Sequence, residues 1–248
     1  MKYLKAVLVG LTQGLTEFLP VSSSGHLAIL GRLSIAPTSV FYCLALHLAT
    51  LAAVLIVLRR EVWEVARHPI RGDAKYILLA SAPTAGIAFL FKKLWPELLT
   101  GRLLGFGFLL TSAALFCADR FGASRGRELN AKTSLLTGLM QGVAVLPGVS
   151  RSGSTIAALR FCGVDPERAA KFSFLLSVPV ILGGFVLEGW ESGFSAAGAD
   201  GAEILVATVA AFLSGLVALR FMLNKTKKGL KPFVPYTFLL GVLCYFLP

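Results

Sequence analysis

Apolar residues run along this chain in long blocks, not at alternate positions and not every third or fourth. The blocks fall at about 41–58, 76–91 and 103–118, and again at about 169–186, 204–219 and 231–246. Each comes close to the roughly 20 residues an α-helix needs to cross a bilayer, and flanking residues can complete the shorter ones. Two further segments break the pattern. "QGLTEFLPVSSSGHLAIL", from Gln13 to Leu30, begins in an apolar run and then brings a carboxylate, three serines and a histidine close together. A second such segment, around 138–155, follows apolar residues with "PGVSRSGST".

The two polar-centred segments are copies. A gapless shift of 128 positions lays Gly10–Gly25 on Gly138–Gly153 with eight of sixteen residues identical. The three apolar blocks of the first half meet those of the second at the same offset. The chain therefore reads as a single membrane domain, 1–248, with repeat one at about 1–120 and repeat two at about 129–248. Within each polar-centred segment a helical run meets a Pro/Ser/Gly break and a short second run, Leu27–Leu33 or Ile156–Cys162. A helix–break–helix hairpin that enters and leaves on one side fits this pattern, because broken backbone at membrane depth must be buried in protein or face a cavity. With three crossings per repeat, an odd number, the second copy is inverted relative to the first. The expected fold is an all-α polytopic membrane protein with an inverted-topology repeat, six transmembrane helices and two re-entrant helix hairpins.

Loop charges orient it. Arg59, Arg60, Arg67, Arg71 and Lys75 lie between the first two blocks; Arg120, Arg125, Arg127 and Lys132 follow the third; Arg220, Lys225, Lys227, Lys228 and Lys231 precede the last. The 188–203 stretch carries Glu188, Glu191, Asp200 and Glu203 without Lys or Arg. Positive-inside reasoning puts the first three loops in the cytoplasm and the last outside, so both termini lie outside and the two hairpin tips meet within the membrane. Lys92, Lys93 and Arg102 on an outer loop go against the trend.

Composition agrees with a membrane assignment: 56% of residues are hydrophobic and 15% charged, and mean hydropathy is +0.76. The net charge of +11 would suggest nucleic acid in a soluble protein. Here no basic stripe is interleaved with aromatics, and the cations sit in short loops where anionic head groups or a phosphorylated substrate meet them. Cys43, Cys117, Cys162 and Cys244 have no C-x-x-C spacing and read as free thiols, giving neither a disulfide framework nor a zinc site. Met1–Leu19 resembles a signal peptide, but Gln13 and Glu17 interrupt its apolar region and the segment recurs later, so it reads as mature protein.

The tips hold the candidate chemistry. Gln13 and Glu17, four apart, share one helix face. A carboxylate at this depth needs a cation, a metal or a proton, and intramembrane ionisable groups usually mark function. Ser22, Ser23, Ser24 and Gly25 offer hydroxyls and free amides at a helix start, which favours an anion; the alternative use is close helix packing. His26 stands beside them. Ser150, Ser152, Gly153 and Ser154 repeat the anion-binding pattern around Arg151, whose guanidinium forks onto phosphate; the alternative is a structural counter-ion for Glu17. His47 reads as a core histidine or a cavity-lining one, and His68 as solvated. Together the tips suit a phosphate or diphosphate in a lipid-accessible cavity, with Glu17 able to hold Mg²⁺ (or Ca²⁺) on its oxygens.

"QGLTEFLPVSSSGHL" and "LPGVSRSGSTIA", followed by "AAKFSFLLSVPVILGG", resemble the signatures of the undecaprenyl-diphosphate phosphatase (bacitracin-resistance) family over nearly the whole chain. The resemblance implies a multi-pass enzyme of the bacterial plasma (inner) membrane, dependent on a divalent cation and open to the outer face. It would hydrolyse a C55 isoprenyl diphosphate to the monophosphate and inorganic phosphate, recycling the lipid carrier for cell-wall synthesis. By position, Gln13 and Glu17 match the family's E/Q-x-x-x-E pair, Ser23 its proposed nucleophile, His26 its histidine, and Ser150 and Arg151 its second phosphate-binding motif. Gln13 replaces a frequent Glu, removing one charge from a metal site, and "LHLAT" has Ala49 where Gly often stands. Two mechanisms remain open: Glu17 takes the proton of an attacking Ser23, or Glu17 or His26 activates water while Ser23 binds phosphate. A polyprenyl-phosphate flippase is the alternative function. The expected partners are the polyprenyl diphosphate and membrane lipids, with a homodimer left open and no nucleic acid.

Overall fold

The computed structural model describes residues 1–36, 39–122, 124–193, 200–225 and 229–246. Among them it contains eleven α-helices, one short 3₁₀ turn (Pro96–Thr100) and no strand. The helices are α1 (Lys2–Phe18), α2 (Ser23–Arg32), α3 (Val40–Val57), α4 (Arg59–Arg67), α5 (Gly72–Leu94), α6 (Leu104–Phe121), α7 (Ala131–Val143), α8 (Arg151–Phe161), α9 (Pro166–Glu191), α10 (Gly201–Lys225) and α11 (Phe233–Leu243). Five of these, α3, α5, α6, α9 and α10, are long and apolar enough to cross a membrane. They coincide with five of the six apolar blocks. The sixth block forms the shorter α11, whose 11 residues rise only about 16 Å. The loop expected at 59–75 contains α4, an amphipathic helix without a buried residue, on which Arg67 stacks over Trp63 at 4.8 Å.

Polar side chains are buried among the apolar core, while many large apolar side chains cover the outside. Gln13, Glu17, Thr50, Gln141, Ser150, Thr155 and Ser173 are buried, while Phe89, Leu205, Val217 and Phe238 are exposed. Since lipid offers helices no hydrophobic reason to associate, small residues and interhelical hydrogen bonds must hold them. Here α1 packs on α10 and α7 on α5, equivalent pairs at the 128-residue offset. In both pairs a G-x-x-x-G stripe brings backbones together: a Cβ would lie 2.2 Å from the Ala207 oxygen at Gly10 and 2.1 Å from the Ala80 oxygen at Gly138. Between the repeats, α3 packs on α9 and α6 on α11.

Ion pairs link loops that lie far apart in the chain. Lys2 pairs with Asp200 and Lys92 with Glu191, so a cation that broke the charge pattern is matched by an acid. Arg168 forks onto Asp73, Arg160 pairs with Asp119, and the Leu230 amide donates to the same Asp119. Lys227 and Lys228 lie outside the described residues.

Candidate active site

Both polar-centred segments fold as helix, break and shorter helix. In the first, α1 ends at Phe18, just before Pro20, and α2 begins at Ser23, and the two helices pack on each other; α7 and α8 do the same. Equivalent serines cap the second arms. Ser22 Oγ accepts from the Gly25 amide (3.2 Å), and Ser150 Oγ accepts from the Gly153 amide (3.1 Å). Ser22 does so at φ 70°, a strained value for a residue with a side chain. At Gly148, φ is +90° and a Cβ would lie 2.4 Å from the Leu104 oxygen, so only glycine fits there. Thr111 on α6 holds this second break from both sides, donating to the Gly148 carbonyl (2.9 Å) and accepting from the Ser150 amide (2.8 Å).

The tips touch. Ser152 Oγ donates to the Leu19 carbonyl (3.3 Å), and a Cβ at Gly153 would meet Pro20 at 3.3 Å. At this junction Glu17 collects partners from both repeats. Its Oε2 accepts from Ser23 Oγ (2.6 Å) and Gln13 Nε2 (3.0 Å), while Oε1 accepts from Arg151. His47 Nε2 stands 3.9 Å from Oε2, which places that histidine at the site's edge and decides between its two readings. Acid, hydroxyl and guanidinium, expected together from sequence, meet here, with Ser23 and Arg151 each hydrogen-bonded to a different oxygen of Glu17. Arg151 is Glu17's counter-ion in this state, and it spends one nitrogen of a five-donor fork there.

The remaining candidates divide. Ser24 is exposed, with its Oγ 3.3 Å from that of Ser22, and Ser154 is buried in α8. The amides of Gly25 and Gly153 serve the caps and are not turned to a ligand. Those of Ser23, Ser24, Arg151 and Ser152, in the first turns of their helices, have no backbone acceptor and are the ones a phosphate can use. Among the described residues, His26 shares no hydrogen bond with Ser23, Glu17 or Arg151. It lies between the Ser22 carbonyl and the Tyr236 hydroxyl. Sequence motifs missed Thr111 and Tyr236, since both lie outside the two polar-centred segments, on helices that read only as apolar spans.

Does the site suit a divalent cation? Among the described residues, no group of three or more His, Cys, Asp or Glu is placed to hold one. Glu17 is the single carboxylate at the junction, but the buried Gln13 Oε1 beside it has no hydrogen-bond partner and is a hard oxygen donor. One carboxylate and one amide oxygen suit an ion that takes its other ligands from phosphate and water, as Mg²⁺ commonly does.

Comparison with known proteins gives the same picture along nearly the full length. The chain is 40% identical to the undecaprenyl-diphosphatase of Carboxydothermus hydrogenoformans, covering 98% of this chain and 96% of the relative. It is 35% identical to that of Christiangramia forsetii (98% and 97% covered) and 33% to that of Korarchaeum cryptofilum (98% of both). The family model described as bacitracin resistance protein BacA matches residues 6–243, and the chain belongs to that family.

Proposed function

We propose that this membrane protein hydrolyses undecaprenyl diphosphate to undecaprenyl phosphate and inorganic phosphate, returning the lipid carrier to cell-wall synthesis. The observation that carries the reading is Glu17, which links the Ser23 hydroxyl of one tip to the Arg151 guanidinium of the other. A lipid-phosphate carrier needs anion binding at the tips but no carboxylate on a serine hydroxyl, so that contact favours hydrolysis over transport.

The architecture we propose is the inverted repeat, with six crossings and two re-entrant hairpins in the plasma (inner) membrane and the site open to the outer face. It is supported by the equivalent packing of α1 on α10 and α7 on α5, and by the equivalent caps at Ser22 and Ser150. The ion pairs Lys2–Asp200 and Lys92–Glu191 each join segments that the charge pattern puts outside, which supports the orientation.

When the diphosphate arrives, Arg151 keeps a donor on Glu17 and turns others to the terminal phosphate, joined by the first-turn amides of α2 and α8. Ser23 Oγ attacks the terminal phosphorus as its proton passes to Glu17 Oε2, the atom it already contacts. The phosphoanhydride bond breaks, undecaprenyl phosphate leaves, and water then releases phosphate from the serine. His26 Nε2 accepts the proton of that water, and Glu17 returns its own to Ser23 Oγ. A divalent cation, when bound, supplies charge neutralisation on the phosphate oxygens, and Glu17 and Gln13 Oε1 are the donors this chain lends it.

Purified protein is expected to release phosphate from undecaprenyl diphosphate, and failure to do so under any divalent cation would refute the activity. Single-turnover trapping separates the two chemistries. A phosphoserine at position 23 supports serine attack; its absence in an active enzyme assigns the attack to water.

A further inference from the structure

His26 is the one candidate catalytic group that the Glu17–Arg151 junction does not hold, yet its ring is fixed on three sides. Nδ1 lies 2.7 Å from the Ser22 carbonyl oxygen, which can only accept, so Nδ1 carries the proton. Nε2 lies 2.7 Å from the Tyr236 hydroxyl, and in the neutral ring the phenol must donate to it. The two rings stack nearly parallel, 9° apart with centroids at 5.8 Å, while Phe108 meets the imidazole edge-on at 5.6 Å.

This phenol is held in place by its own packing. Tyr236 belongs to α11, 210 positions from His26, and its distance along α6 is set by a close backbone approach. A Cβ at Gly105 would lie 2.8 Å from the Gly241 oxygen, and one at Gly241 would lie 3.1 Å from the Gly105 oxygen. Ser112 Oγ on α6 adds a hydrogen bond to the Val234 carbonyl (3.0 Å), two residues before the tyrosine. On the other side Gly25 lets α2 close on Phe108, since a Cβ there would lie 2.5 Å from that ring. The tyrosine is nonetheless 45% exposed, so filling the interior is not what places it.

We infer that Tyr236 is a positioning residue for the hydrolytic reaction, orienting His26, whose Nδ1 proton is held by the Ser22 carbonyl, so that the lone pair of Nε2 is presented as a proton acceptor. A water that gives its proton to Nε2 then encounters the phenol at the same atom. Repeat two thus completes the histidine end of the site as it completes the carboxylate end through Arg151. The inference rests on the hydrolase reading of His26, and its test separates the two.

In protein labelled with ¹⁵N at histidine, wild-type His26 is expected to show one protonated, pyrrole-type nitrogen and one pyridine-type nitrogen. An averaged pair, or the Nε2–H tautomer, would overturn the inference without any variant. Tyr236→Phe keeps the ring and removes the hydroxyl. It should move the Nε2 resonance and lower kcat by about tenfold with KM within about twofold, the scale on which partners of functional histidines act. In a His26→Ala background the same change should cost nothing further, because a residue acting through His26 has nothing left to position. Wild-type turnover by His26→Ala would remove His26 from the reaction and this inference with it. Unchanged kcat and ring resonances in Tyr236→Phe, beside an impaired His26→Ala, would overturn the positioning role alone.

Discussion

The tip at Gln13–His26 and the tip at Gln141–Ser154 share a scaffold and differ in chemistry. Glycines of both first arms meet a neighbouring backbone, a serine of each caps the second arm, and a glutamine of each is buried with an unpartnered Oε1. Among the positions that differ, three carry candidate chemistry. At the 128-residue offset Glu17 faces Val145, Ser23 faces Arg151, and His26 faces Ser154. The shared positions bring two breaks together at one depth; the differing ones make the pair a site with an acid and hydroxyl on one side and a fixed cation on the other. The residues common to the two segments build the breaks, and the proposed chemistry rests on the three that differ.

That comparison is broken most severely at Arg151. Arg151→Ala should lower phosphate release by about 10²–10³-fold, the scale for losing a donor to developing charge. It also strands a buried carboxylate, which costs about 3–5 kcal/mol. The double variant Arg151→Ala/Glu17→Ala separates these effects. Thermal stability should return, and if Arg151 serves phosphate the double variant binds the diphosphate more weakly than Glu17→Ala alone; equal binding would reduce Arg151 to a counter-ion. Arg151→Lys keeps the charge without the fork and should recover only part of the activity.

A smaller effect sharpens the contrast between the glutamines. Gln13 Nε2 donates to Glu17, whereas Gln141 Nε2 donates to Thr84 on α5. Gln13→Ala is expected to cost about tenfold in turnover, the worth of one charge-assisted hydrogen bond. Gln141→Ala should leave turnover within about twofold and lower stability by about 1 kcal/mol. Equal kinetic losses from both would mean that the second tip takes part directly in the chemistry.

The smallest difference expected lies in the caps. Glycine is nearly as good a cap as serine, costing only a few tenths of a kcal/mol. Ser22 sits at φ 70° and Ser150 at φ −74°. Ser22→Gly relieves about 1 kcal/mol of backbone strain that Ser150→Gly cannot. Thermal unfolding should therefore place Ser22→Gly above Ser150→Gly, and the reverse order would show that the strain at Ser22 is compensated elsewhere.

The sequence by itself determined the helical blocks, the repeat and the candidate side chains, because crossing lipid demands long apolar helices and because a carboxylate or guanidinium among them stands out. The motif spacing was enough to name Glu17, Ser23 and Arg151 as neighbours. Only the tertiary structure decided which atoms meet: that Glu17 is shared between Ser23 and Arg151, that His47 borders the site, and that His26 turns to Tyr236 instead. Thr111 and Tyr236 carry no local signal, since a threonine or tyrosine in an apolar helix reads the same whether it faces lipid, core or a partner. Their roles depend on the register of α6 and α11, which is set by glycine contacts between segments far apart in the chain and has no counterpart in the spacing of residues along it.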